Sequence, residues 1–508
     1  MSQSFGTEPS EWPRLTAETP RPLREILLES PHVDAVLEKA LAGHDWDVAI
    51  GMLRNMGELF SVVGNIDNGS SGSIVKVKLN EGVSSVLEGG LDSGHVGKIL
   101  QSEHTERTLN SEHTERTFNS GHVAGILQSE HAERILQSEH IKSTLNTEHN
   151  TESTTDTRST LTSSVNNRTM SQLSGRSESN ASHASSSRNT PTPCTSHGPF
   201  FVLKVFIHTD KKSPDEYNFE AVNEYLVLRA ACKHSGSSQW LVPVYGLVNE
   251  PASSSLAMIL DFYPHGDLLS LLARARRHKI EVSQDFIDMA FFKVFLAVKF
   301  LHSCQIVHRD IKPENVLIDS NGQLRLADFG YAVDLNRVRD YRLDGTFLSL
   351  GTRSFKAPEL FRYRRMGEQL VDAKDVQFAS IDVWSLGVLY YQLRTLSKPW
   401  IEATPADASF RAFEQIHDRV AGSNLDGYAI RKLLSSNTAI DRGFSKLTRD
   451  ETVTTLLSLL DPDPRRRASI RQLGLTEWMI QLRQKYEEAK KARNSLRDDD
   501  VLRLAMLK

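Results

Sequence analysis

The densest chemistry in this 508-residue sequence lies between His308 and Asn315, which read His-Arg-Asp-Ile-Lys-Pro-Glu-Asn. Within six residues the run offers a carboxylate at Asp310, an ammonium at Lys312 and a carboxamide at Asn315. Thirteen residues beyond Asn315 comes Asp328-Phe329-Gly330, just after the strand-like Leu324-Arg325-Leu326. A carboxylate there suits a hard cation such as magnesium, which takes oxygen ligands. Alone, an Asp-Phe-Gly triplet reads as a turn; downstream of His308–Asn315 it adds a second oxygen donor to the same chemistry.

The run from His308, continued by Val316-Leu317-Ile318, resembles the catalytic loop of the eukaryotic protein kinases, and the chain resembles that family from about Phe60 to Gln484 outside a polar insertion. The resemblance implies an α+β fold with a β-rich N-lobe and a helical C-lobe, and transfer of the ATP γ-phosphate to hydroxyls of protein substrates. It implies Asp310 as the carboxylate that orients the attacking hydroxyl, Lys312 against the transferred phosphate, and Asn315 with Asp328 as magnesium ligands. A lysine at position 312 is similar to the serine/threonine class.

Further motifs carry the same resemblance. Gly351 to Glu359 is similar to the end of an activation segment, with Thr352 near the docking peptide, and Glu359 is expected to pair with an arginine in the run Arg465-Arg466-Arg467. Asp382-Val383-Trp384-Ser385-Leu386-Gly387 looks like the buried helix that anchors the catalytic loop through Asp382. Upstream, Phe201-Val202-Leu203-Lys204-Val205 resembles the strand whose Lys204 grips the ATP phosphates, and Glu224 fits the helix glutamate that holds it. Strand alternation points Lys204 the same way as Val202.

The nucleotide-binding half is less regular. Ile66-Asp67-Asn68-Gly69-Ser70-Ser71-Gly72-Ser73-Ile74 fits a glycine-rich loop only with Asp67 in the first glycine position. Gly69 and Gly72 remain for close approach of backbone amides to phosphate, whereas Asp67 adds negative charge beside it. By resemblance the adenine walls are Ile74, Val202 and Leu317, the hinge is Asp261-Phe262-Tyr263 behind Leu260, and Asp267 is placed like a ribose-binding acid. Arg309 beside Asp310 resembles kinases whose activation segment is ordered by an upstream activating kinase, with Thr346 and Ser349 as acceptors; the alternative is a nearby carboxylate.

The elements that must position these residues are legible in outline. Residues 1–21 are a tail without periodicity and 22–58 a helical extension, with Val33, Val36, Leu37, Ala40 and Leu41 at helical offsets. The kinase-like region runs over 59–484, interrupted at 79–198 by a polar insertion, and 485–508 reads as a charged helix. Within 93–149 a nonapeptide repeat sets His95, His104, His113, His122, His131, His140 and His149 nine residues apart. Nine residues place successive apolar side chains on opposite faces of a helix or a strand, so no continuous face is buried and disorder is expected. The insertion falls at a hairpin tip, where loop closure costs only a logarithm of length.

Composition excludes other classes. Hydrophobic residues are 39% and the net charge is −4, which gives no long-range pull toward nucleic acid. Cys194, Cys232 and Cys304 follow no metal or disulfide spacing, no secretory signal opens the chain, and the most apolar stretch, Phe291 to His302, is too short for a bilayer span. These features suit the cytoplasm. Phe378 to Trp384, Leu475 to Arg483 and the connection near His234 to Trp240 are similar to apicomplexan rhoptry kinases, which implies secretion into a host or vacuole if the amino terminus is incomplete. Two other readings are a catalytically weak kinase-fold scaffold, and a metal- or partner-binding repeat that carries the domain as a passenger.

Overall fold

The computed structural model describes residues 31–43, 45–68, 72–80, 200–210, 212–250, 252–421, 423–438, 440, 442–492 and 498–507. The tail at 1–21, the nonapeptide repeat and Gly69 lie outside the described residues, as do the side chains of Asp67 and Asn68.

Two helices open the described chain, α1 (Pro31–Gly43) and α2 (Trp46–Gly51). They precede a six-stranded sheet of β1 (Arg54–Asn55), β2 (Phe60–Asn68), β3 (Gly72–Leu79), β4 (Phe200–Phe206), β5 (Val244–Glu250) and β6 (Ser255–Asp261), in the order β1-β5-β6-β4-β3-β2. β3 and β4 are therefore hydrogen-bonded neighbours although residues 80–199 lie between them in the chain. Antiparallel register pairs Ile74 with Lys204 and Lys76 with Val202. On the other side of β4, Val202 pairs with Leu260 and Lys204 with Met258. Directly opposed residues share a face, so Ile74, Lys76, Val202, Lys204, Leu260 and Met258 all lie on one side of the sheet. Gly72 is demanded by this packing: a Cβ there would lie 2.6 Å from the Val205 carbonyl oxygen.

The sheet is crossed by α3 (Pro214–Cys232), which begins well before the apolar run at Phe219. Ser213 and Glu216 form a reciprocal capping box and Pro214 sits at the first helical position. Both stabilise a helix start where four amides would otherwise lack partners.

Beyond α4 (Leu268–Arg277) the chain is mostly helical, and α5 (Gln284–Ser303) contains the apolar stretch from Phe291 to His302, largely buried. Short strands β7 (Ile306–Val307), β8 (Val316–Ile318), β9 (Leu324–Leu326) and β10 (Val333–Asp334) pair as β7–β10 and β8–β9 around the His308–Asn315 run. Then come α6 (Gly345–Leu348), α7 (Pro358–Arg364) and α8 (Phe378–Thr395). Nearly every residue of α8 is buried, as befits a helix apolar on all sides at the centre of a lobe. The molecule is thus α+β, a sheet-rich lobe followed by a helical one.

The charged helix expected over 485–508 divides in two. One helix, α9 (Glu477–Ala492), starts earlier, and a second, α10 (Asp499–Ala505), folds back onto the β8–β9 turn, where the Asp498 amide donates to the Asn321 carbonyl at 2.7 Å. Gly322 permits that approach, with φ of +76° and only 2.5 Å between its would-be Cβ and the Asp498 carbonyl oxygen.

The arginine left open for Glu359 is Arg467. Its guanidinium meets the carboxylate through two nitrogens, at 2.7 and 2.9 Å, and both groups are buried. Arg466 instead bonds Asp461. A buried bidentate pair is costly to break from one side because the survivor is left as an unpaired charge. Arg467→Ala is expected to lower the unfolding free energy by about 3–5 kcal/mol in urea titration, with Arg466→Ala changing it by less than about 1 kcal/mol.

Candidate active site

The site assembles around two strained residues. Arg309 and Asp328 adopt left-handed backbone angles, φ of 66° and 62°, which non-glycine residues hold only where surrounding contacts enforce them. At Arg309 the enforcement comes from Asp382 on α8, which is fully buried and accepts from the backbone amides of His308 at 2.9 Å and Arg309 at 2.7 Å. His302 on α5 contributes a third contact to this carboxylate, at 2.9 Å. Burial by itself would raise the Asp382 pKa, but the hydrogen bond and charge of His302 outweigh it and hold the carboxyl below its ordinary range. Sequence reading found Asp382 but missed His302, whose only signal was its place in the last turn of an apolar helix.

His308 is buried as a neutral ring. Burial lowers its pKa, its Nδ1 accepts from the Asp310 amide, and Nε2 lies 3.0 Å from the Ala327 carbonyl, so the proton belongs on Nε2. Its ring meets Phe329 edge-on at 4.8 Å, which ties the catalytic-loop strand pair to the Asp328-Phe329-Gly330 segment.

Asp310, Lys312, Asn315 and Thr352 converge. The Lys312 ammonium lies 2.6 Å from Asp310 Oδ2 and 2.9 Å from Thr352 Oγ1. The Thr352 amide donates to Asp310 Oδ1 at 2.9 Å. Asn315 spends its Nδ2 on the Asp310 carbonyl and carboxylate, at 2.9 and 3.2 Å, which leaves the amide oxygen as the atom available to a cation.

Opposite this cluster, Lys204 on β4 bridges Glu224 on α3 at 2.6 Å and Asp328 at 2.7 Å. Burial disfavours the Lys204 charge, but the two carboxylates overcome it and raise the lysine pKa above its ordinary value. Asp328 is likewise subject to burial, yet Lys204 holds its carboxyl down at about 2. Glu224 differs: burial dominates and lifts it to about 7 despite Lys204. Two acids thus share one ammonium and the more exposed one keeps the charge.

The nucleotide-side expectations divide. Ile74, Val202 and Lys204 lie on the common sheet face, and Leu317 stands on β8. Ile66 on β2 is 49% exposed. Asp261 ends β6 and accepts from Tyr245 Oη at 2.6 Å, and Tyr263 follows it half-buried. Asp267, expected toward a ribose, also caps α4, accepting from the Ser270 amide at 2.9 Å and hydroxyl at 2.6 Å. Lys76 was not anticipated. Its ammonium rests 3.8 Å from the Phe200 ring centre and 4.1 Å from that of Phe262, on the same face as Val202. Period-two alternation from Ile74 was the signal that would have found it.

In the activation segment, Thr346 is exposed, whereas Ser349 is 8% exposed and its hydroxyl donates to the Thr346 carbonyl. Among the described residues Arg309 bonds no carboxylate: it donates to the carbonyls of Tyr331, Phe347 and Leu348 and stacks 4.7 Å above the Phe347 ring.

Residues 194–479 match the protein kinase domain family. The chain belongs to the protein kinase domain family. It is similar to the citron Rho-interacting kinase of Homo sapiens, 34% identical over 209 residues, which is 41% of this chain and 9% of that protein. It is similar to the serine/threonine-protein kinase Genghis Khan of Drosophila melanogaster, 33% identical over 161 residues, or 31% of this chain and 9% of that protein. Similarity at 25% identity extends over 295 residues of the probable serine/threonine-protein kinase HAL5-like of Vanderwaltozyma polyspora, 57% of this chain and 36% of that protein. The chain therefore spans well under half the length of these relatives. The family match starts at residue 194, near the end of the insertion, yet β2 and β3 complete its sheet from before it. Protein kinase domains use ATP and a divalent metal ion.

Among the described residues no group of three or more His, Cys, Asp or Glu stands ready to hold a metal by itself. One carboxylate, Asp328, with one amide oxygen, Asn315, fits a cation that completes its coordination with phosphate oxygens and water. No helix among the described residues is long and apolar enough to cross a membrane.

The raised pKa of Glu224 sets a pH test. The folded protein holds that proton up to about pH 7 and the unfolded chain releases it near 4.5, so folding binds a proton between the two values. The stability of the wild type relative to Glu224→Gln is expected to fall as pH rises from 4.5 to about 7 and to stay level above. Urea titrations across this range decide it; a constant difference means that Glu224 is ionised throughout.

Proposed function

We propose that the chain is a magnesium-dependent serine/threonine protein kinase, transferring the ATP γ-phosphate to protein hydroxyls. The observation that carries this reading is Lys204 bridging Glu224 and Asp328, because phosphate positioning requires the lysine–glutamate pair and the metal-binding aspartate together. Asp310 orients the substrate hydroxyl and accepts its proton as the new oxygen–phosphorus bond forms and ADP departs. Lys312, seated on Asp310 and Thr352, balances charge on the phosphoryl group in flight. Asp328 and Asn315 hold the magnesium ion, which neutralises phosphate charge when bound. Ile74, Val202 and Leu317 wall the adenine, and Lys204 grips the phosphates.

An upstream activating kinase acts at Thr346 in this reading, since Thr346 is exposed and Ser349 is buried in a hydrogen bond to its own helix. The lysine at position 312 and the names of the relatives support the serine/threonine class. The cytoplasm is proposed as the site of action, given the chain's cysteine usage.

Radiolabelled ATP with a generic basic protein tests the activity. Asp310→Asn is expected to lose at least about 10²-fold in rate, and Asp328→Asn to lose transfer at all but high magnesium; equal incorporation by wild type and Asp328→Asn overturns the reading. Phosphatase treatment is expected to lower wild-type activity to that of Thr346→Ala, and undiminished activity removes Thr346 from the scheme.

A further inference from the structure

Three consecutive residues of α3 reach three different parts of the chain. Successive helical residues point about 100° apart, so Asn223, Glu224 and Tyr225 cannot share a neighbour. Glu224 takes Lys204. Asn223 Oδ1 accepts from Tyr341 Oη at 2.9 Å, and Tyr341 Oη in turn accepts from the Asp334 amide at 3.2 Å, which ties α3 to the start of the activation segment. Tyr225 Oη donates to Asp34 Oδ1 at 2.7 Å, which ties α3 to α1.

Asp34 is a carboxylate only 2% exposed, and its second oxygen lies 3.2 Å from both Arg229, in the last turn of α3, and Lys233, just beyond its end. Around it Leu37, Ala40, Leu41, Trp46 and Ala49 join one apolar core with Val222, Tyr225 and Leu226. At the other end of α3, Trp46 Nε1 donates to Asp215 in the first turn. The helix is thus held at both ends by residues 31–49, and at its middle by Tyr341, itself buried against Phe219. Asp34 lies before the 194–479 stretch that matches the kinase family, and neither Asp34 nor Tyr341 belongs to a motif of the site.

We propose that Asp34 and Tyr341 are positioning residues, which act through Tyr225 and Asn223 to hold Glu224 on Lys204, so that the segment before the sheet sets the activity of the site from within the same chain. The proposal rests on the kinase reading above and adds to it two residues that lie outside the motifs of the site.

The test is a double-mutant cycle on the full chain. Asp34→Ala and Tyr341→Phe are each expected to lower the rate at saturating ATP by about 5- to 150-fold, the range of typical coupling energies. In a Glu224→Gln background, neither is expected to cost more than about 2-fold, because the route ends at Glu224. Asp34→Asn, which keeps an acceptor for Tyr225, recovers most of the loss. Amide hydrogen exchange over 214–232 rises in both single variants while α8 stays protected. Fully multiplicative losses in the doubles overturn the proposal, as does unchanged exchange over 214–232 in both single variants. Should Asp34→Ala fail to fold, Tyr341→Phe carries the cycle alone. A wild type that transfers no phosphate refutes the kinase reading, and the exchange measurement then still decides whether Asp34 and Tyr341 hold α3.

Discussion

One ammonium shared by two carboxylates is the constraint on which the rest of this molecule depends. Lys204 comes from the sheet, Glu224 from the helix that crosses it and Asp328 from the segment beyond β9, so three elements far apart in sequence must meet within hydrogen-bond distance. Burial makes the arrangement all-or-none. A lysine taken out of water with no partner loses its proton or unfolds its surroundings, whereas one with two acids is held more firmly charged than in solution. The imbalance of two acids to one base is settled by solvent access: Asp328, whose side chain is 37% exposed, keeps the negative charge, and the deeper Glu224 resists it.

A second buried carboxylate, Asp382, does for the catalytic loop what Lys204 does for the cleft. It supplies acceptors for two consecutive amides that a left-handed Arg309 would otherwise orphan, and so makes an unfavourable backbone angle affordable at that one place. The guanidinium thereby exposed to the interior is solvated by carbonyls and by the face of Phe347 instead of by an anion. Burial pushes its pKa down to about 10, which still leaves it charged at neutral pH.

How much of this was legible in the sequence depended on whether a residue's partner is local or distant. The His308–Asn315 run, Asp328, Lys204, Glu224 and the α+β order of elements could be read because motif spacing and apolar periodicity encode them directly. Arg467 could not be separated from Arg465 and Arg466 because the choice is made by which of three adjacent side chains the turn directs inward. The start of α3 is not given by apolar periodicity, because the apolar pattern begins at Phe219 whereas the helix is set by the cap at Ser213. The cap that Asp267 places on α4 was not read from the sequence, although an aspartate before a helix has four free amides within reach. Asp34 gave no signal at all, since a lone acid in an amphipathic helix ordinarily faces water.

The adjacency of β3 and β4 has a consequence for the chain as a polymer. Seven register pairs join these strands, and the peptide path between them contributes nothing to that ladder. Together with α1 and α2 against α3, the ladder makes the described residues between Pro31 and Asn80 a lobe component held by complementarity of surface. A single proteolytic nick in the connection would therefore yield two fragments that stay associated, and the enzyme would behave as a natural split protein whose halves recognise each other through a strand edge.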